Sequence, residues 1–166
     1  MKSWHLCWVL ALACLIPTRL PAEEAFTGAQ PVVKPAHDLA GMLEAQERRT
    51  WNAFMNRDGQ AFLDVVVPSA WRIDPAGFGF GTDALERMKD YELHHYTMDD
   101  VHVMSIDKDI AILGYTCRID ATYKGQAAPG GPWYCSTAYV RKGKSWFAHF
   151  HQESLAMPPA QLAQSK

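Results

Sequence analysis

Residues 133–155 read WYCSTAYVRKGKSWFAHFHQESL. Trp133 to Arg141 and Ser145 to Leu155 are strand-like runs rich in aromatic residues, separated by Lys142-Gly143-Lys144. That is the signature of a β-hairpin closed by a tight turn. Upstream, residues 124–132 are rich in Gly and Pro and read as a loop. Ile110 to Tyr123 predicts a long strand, Asp107-Lys108-Asp109 a turn, and Tyr96 to Ile106 a further strand with Val101 and Val103 set against His102. Before residue 96 the period changes from two to about 3.6. Asp38 fits an N-cap, and Leu39, Met42, Leu43, Gln46, Thr50, Trp51, Phe54 and Met55 follow at helical spacing. This predicts a helix over 39–56, with Glu47, Arg48 and Arg49 on its wet side. Asp58-Gly59 breaks the helix, and Gln60 to Val67 predicts a shorter one ending before Pro68. Ala70 to Asp74 reads as a strand, Pro75 to Gly81 as a glycine-rich turn, and Thr82 as the cap of a third helix reaching Tyr91. Helices first and an antiparallel meander afterwards predict an α+β fold, with helices on one face of the sheet.

The chain has 166 residues, 16 Lys+Arg, 18 Asp+Glu, a formal charge of −2 and 48% hydrophobic residues. Such a composition supports one core and argues against disorder. It lacks the basic field that non-specific nucleic-acid binding requires. Residues 1–22 resemble a secretory signal: Lys2 supplies the positive start, Leu6 to Ile16 an uncharged apolar run, and Ala22 a small residue for cleavage. The run is too short to span about 30 Å of hydrocarbon, so no stable membrane span is expected. Cleavage predicts a periplasmic or extracellular protein. It removes Lys2 and Arg19, taking the charge to −4, together with Cys7 and Cys14. Cys117 and Cys135 then remain on neighbouring strands. They pair if their side chains share a face with Cβ atoms about 4 Å apart, and stay as thiols otherwise. Residues 23–37 read as a flexible linker, 38–157 as one domain, and 158–166, after Pro158-Pro159, as a frayed tail.

The order of elements resembles the cone fold of the nuclear transport factor 2-like superfamily, a curved antiparallel sheet wrapped on about three N-terminal helices. Trp51-Asn52-Ala53-Phe54 leading to Asp58-Gly59-Gln60-Ala61-Phe62-Leu63 resembles the two-helix opening of SnoaL-like and DUF4440 proteins. Gly81-Thr82-Asp83-Ala84-Leu85 resembles the glycine that enters their third helix, and Trp146 to Ser154 resembles their closing strand. The resemblance covers roughly residues 38–156. One segment, Trp71-Arg72-Ile73-Asp74-Pro75-Ala76-Gly77, is similar to the stretch of ketosteroid isomerases in which the Asp before Pro is the general base. Asp74 matches that position. Thr50 and Ala138 fall where that branch has its oxyanion tyrosine and aspartate, so the largest electrostatic contribution to such catalysis is missing.

These resemblances imply a pocket for a small, largely apolar ligand, with proton transfer left open and no cofactor required. Asp74 is either a base at the mouth of the pocket or the cap of the Pro75–Gly77 turn. Strict alternation puts Phe147, His149, His151 and Glu153 on one face of the last strand and Trp146, Ala148, Phe150 and Gln152 on the other. If the first face looks into the cone, His149 and His151 become pocket donors or proton shuttles, joining Asp74 as candidate catalytic residues. They are otherwise structural histidines bonded to a neighbouring strand. His149 and His151 could instead ligate a metal, with Glu153, His102 or His94-His95 completing the set. Trp51, Trp71, Phe80, His102 and Tyr115 are the candidate ligand-binding residues, and Trp71, Phe78 and Phe80 a candidate lid. Tyr115 and Cys117 equally fit plain core packing. Trp146 and Phe150, on the outer face, could bury in a back-to-back homodimer, the non-catalytic alternative. Gly-Phe-Gly-Phe-Gly at 77–81 is not a phosphate loop, since no Lys-Ser/Thr follows it. No Gly-x-Ser-x-Gly elbow or Cys-His nucleophile pattern is present.

Overall fold

A computed structural model describes residues 37–156. The predicted signal segment, nearly all of the linker and the tail lie outside the described residues. The long first helix, α1 (His37–Met55), is followed by a one-turn helix, α2 (Gly59–Leu63). Asp58 caps α2, its side chain accepting the Ala61 N–H. Strand β1 (Val66–Asp74) and strand β2 (Gly77–Phe80) form a hairpin leading into helix α3 (Asp83–Asp90). Four long strands follow: β3 (Tyr91–Ser105), β4 (Ile110–Tyr123), β6 (Trp133–Lys142) and β7 (Ser145–Leu155), with a two-residue β5 (Gln126–Ala127) beside β4. The strand order is β2-β1-β7-β6-β4-β3. All neighbours are antiparallel except β1 and β7, which run parallel, so the sheet is mixed.

Three local expectations are corrected. The second helix stops at Leu63 rather than Val67. Val65 and Val66 are buried, and the β-branched run from Val65 to Val67 suits a strand better than a helix. The glycine-rich stretch is not a plain turn: Gly77 to Phe80 pair with Asp74 to Trp71. Strand β3 begins at Tyr91 rather than Tyr96, so His94-His95 lies inside it, with both side chains exposed.

Helix α1 packs against β3 and β4. Its buried stripe is Leu43, Glu47 and Ala53, flanked by half-buried Leu39, Trp51 and Phe54. Glu47 is thus not on the wet side: it is 2% exposed, one turn from Leu43 and one turn from Trp51. The sheet closes on this stripe with Leu113, Tyr115 and Cys117 from β4, Cys135, Thr137 and Tyr139 from β6, and Trp146 and Ala148 from β7. No described helix is long and apolar enough to cross a membrane.

The last strand departs from strict alternation. Tyr139 of β6 pairs with Ala148, whereas Ala138 pairs with Phe150. His149 is the extra residue of a β-bulge, which inverts the phase of everything after it. Trp146 and Ala148 therefore share the inner face with His151 and Glu153. This corrects the expected outer position of Trp146, which is 6% exposed in the core and offers no dimer anchor.

Candidate functional site

Between α1, α3 and the inner face of the sheet lies a cavity of about 630 Å³. Its walls are mainly apolar: Trp51 and Phe54 from α1, Phe62, Val66 and Ala70 before and within β1, Ala84 from α3, Ile119 and Trp133 from the sheet. Its polar groups come chiefly from β1, α3 and β7: Arg72, Asp74, Arg87, His151 and Glu153.

Asp74 ends β1 and is buried. Its Oδ1 accepts the Ala76 N–H at 2.8 Å, the Asx-type closure expected before Pro75. Its Oδ2 pairs with the guanidinium groups of both Arg72 and Arg87. Asp74 is thus both the cap of its own turn and the counter-ion of two guanidinium groups.

His151 stands opposite Thr137, and Glu153 opposite Cys135, on the two central strands β6 and β7. Burial disfavours the His151 imidazolium. The Glu153 side chain and the charges of Glu47 and Glu153 outweigh it, so the His151 pKa is raised. Burial acts to raise Glu153 in turn, but the neighbouring His151, with Arg87 and Arg72, brings its pKa below the ordinary value. The Arg72–Asp74–Arg87 group and the His151–Glu153 pair therefore form one electrostatic cluster.

Behind this cluster lies a group that sequence reasoning missed. Tyr115 donates to Glu47 Oε1 at 2.7 Å, Thr137 to the same oxygen at 3.0 Å, and Tyr139 to Oε2 at 2.5 Å. Trp51 Nε1–H in turn donates to the Tyr115 hydroxyl at 2.8 Å. Burial, then the Glu47 charge, push the phenols of Tyr115 and Tyr139 well above their usual range. Thr137 has one hydroxyl hydrogen and gives it to Glu47. Its 2.9 Å contact with His151 Nδ1 must then be one in which Nδ1–H donates, which leaves Nε2 turned away from Glu47. The signal for Glu47 was its spacing: positions 43, 47, 51 and 54 make one helical stripe.

Of the candidate residues, Asp74, His151, Trp51 and Trp71 line the cavity. Tyr115 lies one hydrogen bond behind Trp51. Phe80 shares a separate, smaller hollow with Trp71, Phe78, Gly79 and Asp83. Trp71 meets Phe78 and Phe80 edge-on, and all three are exposed. His102 is exposed and bonded to Asp100 at 3.0 Å. His149 is off the cavity lining. Its Nε2 is buried without a partner, and burial, then Lys142, lower its pKa. The bulge separates His149 from His151, so the two do not form the expected ligand pair. Cys117 and Cys135 are buried free thiols. The neighbouring Cys117 thiol, then burial, push the Cys135 thiol far above its ordinary range.

No family model matches the chain, and no curated protein matches it. Solved structures do. An NTF2-like protein from Cytophaga hutchinsonii matches with a TM-score of 0.64 at 12% identity, covering 74% of this chain and 100% of that one. An NTF2-like protein of unknown function in nutrient uptake from Rhodospirillum rubrum matches with a TM-score of 0.64 at 15% identity, covering 69% and 98%. A ketosteroid isomerase-like protein from Erwinia carotovora atroseptica matches with a TM-score of 0.59 at 16% identity, covering 74% and 100%. The likeness is one of fold: this chain has the α+β NTF2-like fold.

Proposed function

We propose that this NTF2-like chain is an exported protein that binds a small, largely apolar molecule in the cavity between α1, α3 and the inner sheet face. The observation that carries this reading is the cavity itself, about 630 Å³ with apolar walls and its charged side chains in one cluster. Small-molecule sites have that character and volumes of ~300–1,000 Å³. The ligand's apolar body would lie against Trp51, Phe54 and Ile119, and its polar group would meet Arg72, Arg87 and His151. Export is supported by the Lys2 start and apolar run of residues 1–22.

A second reading, proton transfer by Asp74, is favoured by its place in the cavity lining and by the resemblance around Pro75. Its pairing with two arginines favours the binding reading. Asp74→Asn separates them. Under the binding reading the variant melts earlier, because two half-buried guanidinium groups lose their counter-ion. A variant that melts like the parent but loses turnover of an identified substrate would support Asp74 as the base.

Titration with a neutral hydrophobic fluorophore tests the binding reading. Saturation at one probe per chain is expected. Thr50→Trp places a ring in the cavity from the half-exposed side of α1 and should weaken the probe by about tenfold or more, ~1.4 kcal/mol, with an unchanged melting temperature. Equal affinity in both proteins, or no saturable binding, contradicts the reading.

A further inference from the structure

We infer that Cys135, His151 and Glu153 form a zinc site that opens into the cavity. One ligand atom from each lies within 4.8 Å of the others. The placement is fixed by backbone register rather than by flexible loops. Cys135 and Thr137 are two apart on β6, Glu153 and His151 are two apart on β7, and the pairs Cys135–Glu153 and Thr137–His151 are directly opposite. All four belong to the inner face that the His149 bulge creates.

The histidine is already oriented for the task. Its Nδ1 is held by Thr137 at 2.9 Å, and Thr137 is held by the buried Glu47 at 3.0 Å. Zinc-binding histidines characteristically have the second ring nitrogen fixed by such an outer partner. The remaining Nε2 has Glu153 Oε2 at 4.0 Å. Tetrahedral sites with Zn–S near 2.3 Å and Zn–N near 2.1 Å place their ligand atoms about 3.6 Å apart. The three groups therefore need to close by only about 1 Å.

A thiolate, an imidazole and a carboxylate make a borderline-soft set that suits zinc and not the oxygen-seeking magnesium or calcium. Three protein ligands leave a fourth position free, and His151 and Glu153 both line the cavity, so that position faces the cavity. An open position is the mark of a site where zinc acts as a Lewis acid rather than as a structural clamp. Binding converts Cys135–SH and Zn²⁺ into Cys135–S–Zn with one proton released to the buffer. Cys117 lies outside the three-residue cluster and is not a required ligand. The inference shares His151 with the ligand-binding proposal but does not rest on it, because zinc is measured without any organic ligand.

The test uses the purified chain, stripped by chelator and titrated with cobalt(II) and then zinc. One metal per chain is expected, with a near-ultraviolet thiolate-to-cobalt charge-transfer band that zinc abolishes. Cys135→Ala should remove the band. His151→Gln and Glu153→Gln should each weaken zinc by about tenfold or more. Cys117→Ala and His149→Gln should leave both band and affinity unchanged. If Cys135→Ala fails to fold, the His151 and Glu153 variants decide the matter. Absence of the band, or zinc affinity indifferent to His151 and Glu153, would overturn the site. So would loss of metal on replacing the exposed His94 and His95, since the binding would then be at the surface.

Discussion

The energetically most exposed residue is Glu47. Three hydroxyl donors converge on its carboxylate in the core. Breaking such a group from one side leaves buried donors unsatisfied, which costs about 3 kcal/mol or more. Glu47→Ala should therefore lower the melting temperature by roughly 10 °C, and Glu47→Gln, which keeps one acceptor, by less; thermal denaturation followed by circular dichroism checks both. The two phenols it engages give a pH prediction. Their pKa values are raised in the folded state, so their contribution to stability is complete below the ordinary phenol value of about 10. It is lost as pH climbs above that value, because the unfolded chain then releases protons that the folded chain retains. Tyrosinate absorbance from Tyr115 and Tyr139 should appear in a late stage, only as the protein unfolds. A single early stage would contradict their burial beside Glu47. The position of Glu47 was legible in the stripe of residues 43, 47, 51 and 54, but a charged residue next to Arg48 and Arg49 has the character of a solvent-facing one. A buried carboxylate needs partners, and Tyr115, Thr137 and Tyr139 lie at least 68 positions away in the chain.

At the scale of elements, the β7 bulge and the entry to α3 decide the site. Period-two reading identified the strand from Ser145 to Leu155 and its polar residues, yet assigned its first half to the wrong face. A bulge is a property of a pair of strands, seen only when Tyr139 is matched to Ala148 and Ala138 to Phe150. The result is that Trp146 and Ala148 fill the core while His151 and Glu153 reach the cavity from the same side. The turn residues were more legible than the strand faces. Asp58, Asp74 and Lys142-Gly143-Lys144 act within a few positions of themselves, where local chemistry suffices. Gly81, read as the glycine that enters the third helix, owes its place to crowding. A Cβ there would meet the Val67 carbonyl oxygen at 2.7 Å and a Val66 methyl at 3.1 Å. Backbone cannot yield as a side chain can, so Gly81→Ala should destabilise by about 2 kcal/mol. Urea denaturation should show a lower midpoint at unchanged slope; an unaltered midpoint would mean that β1 and α3 separate freely.

For the whole described domain, the order of elements was legible because each long strand carries its own period and each turn its own residues. The parallel pairing of β1 with β7 was not, since it joins segments some eighty positions apart. That pairing matters for function: it brings Arg72 and Asp74 to the strand that carries His151 and Glu153, and so sets the charged cluster at one apolar cavity. The fold alone does not require this cluster; these side chains do. Trp146 fills the core and is no anchor on the outer face, and Phe150 is among the residues lining the cavity. The central claim is that the interior cavity receives a small apolar molecule. A crystal structure of the protein with the neutral hydrophobic fluorophore bound measures this most directly. Density beside Trp51 and Ile119, within reach of Arg87 and His151, is the predicted result. A probe seated instead on the exposed Trp71–Phe78–Phe80 hairpin, with the cavity holding only water, would contradict it.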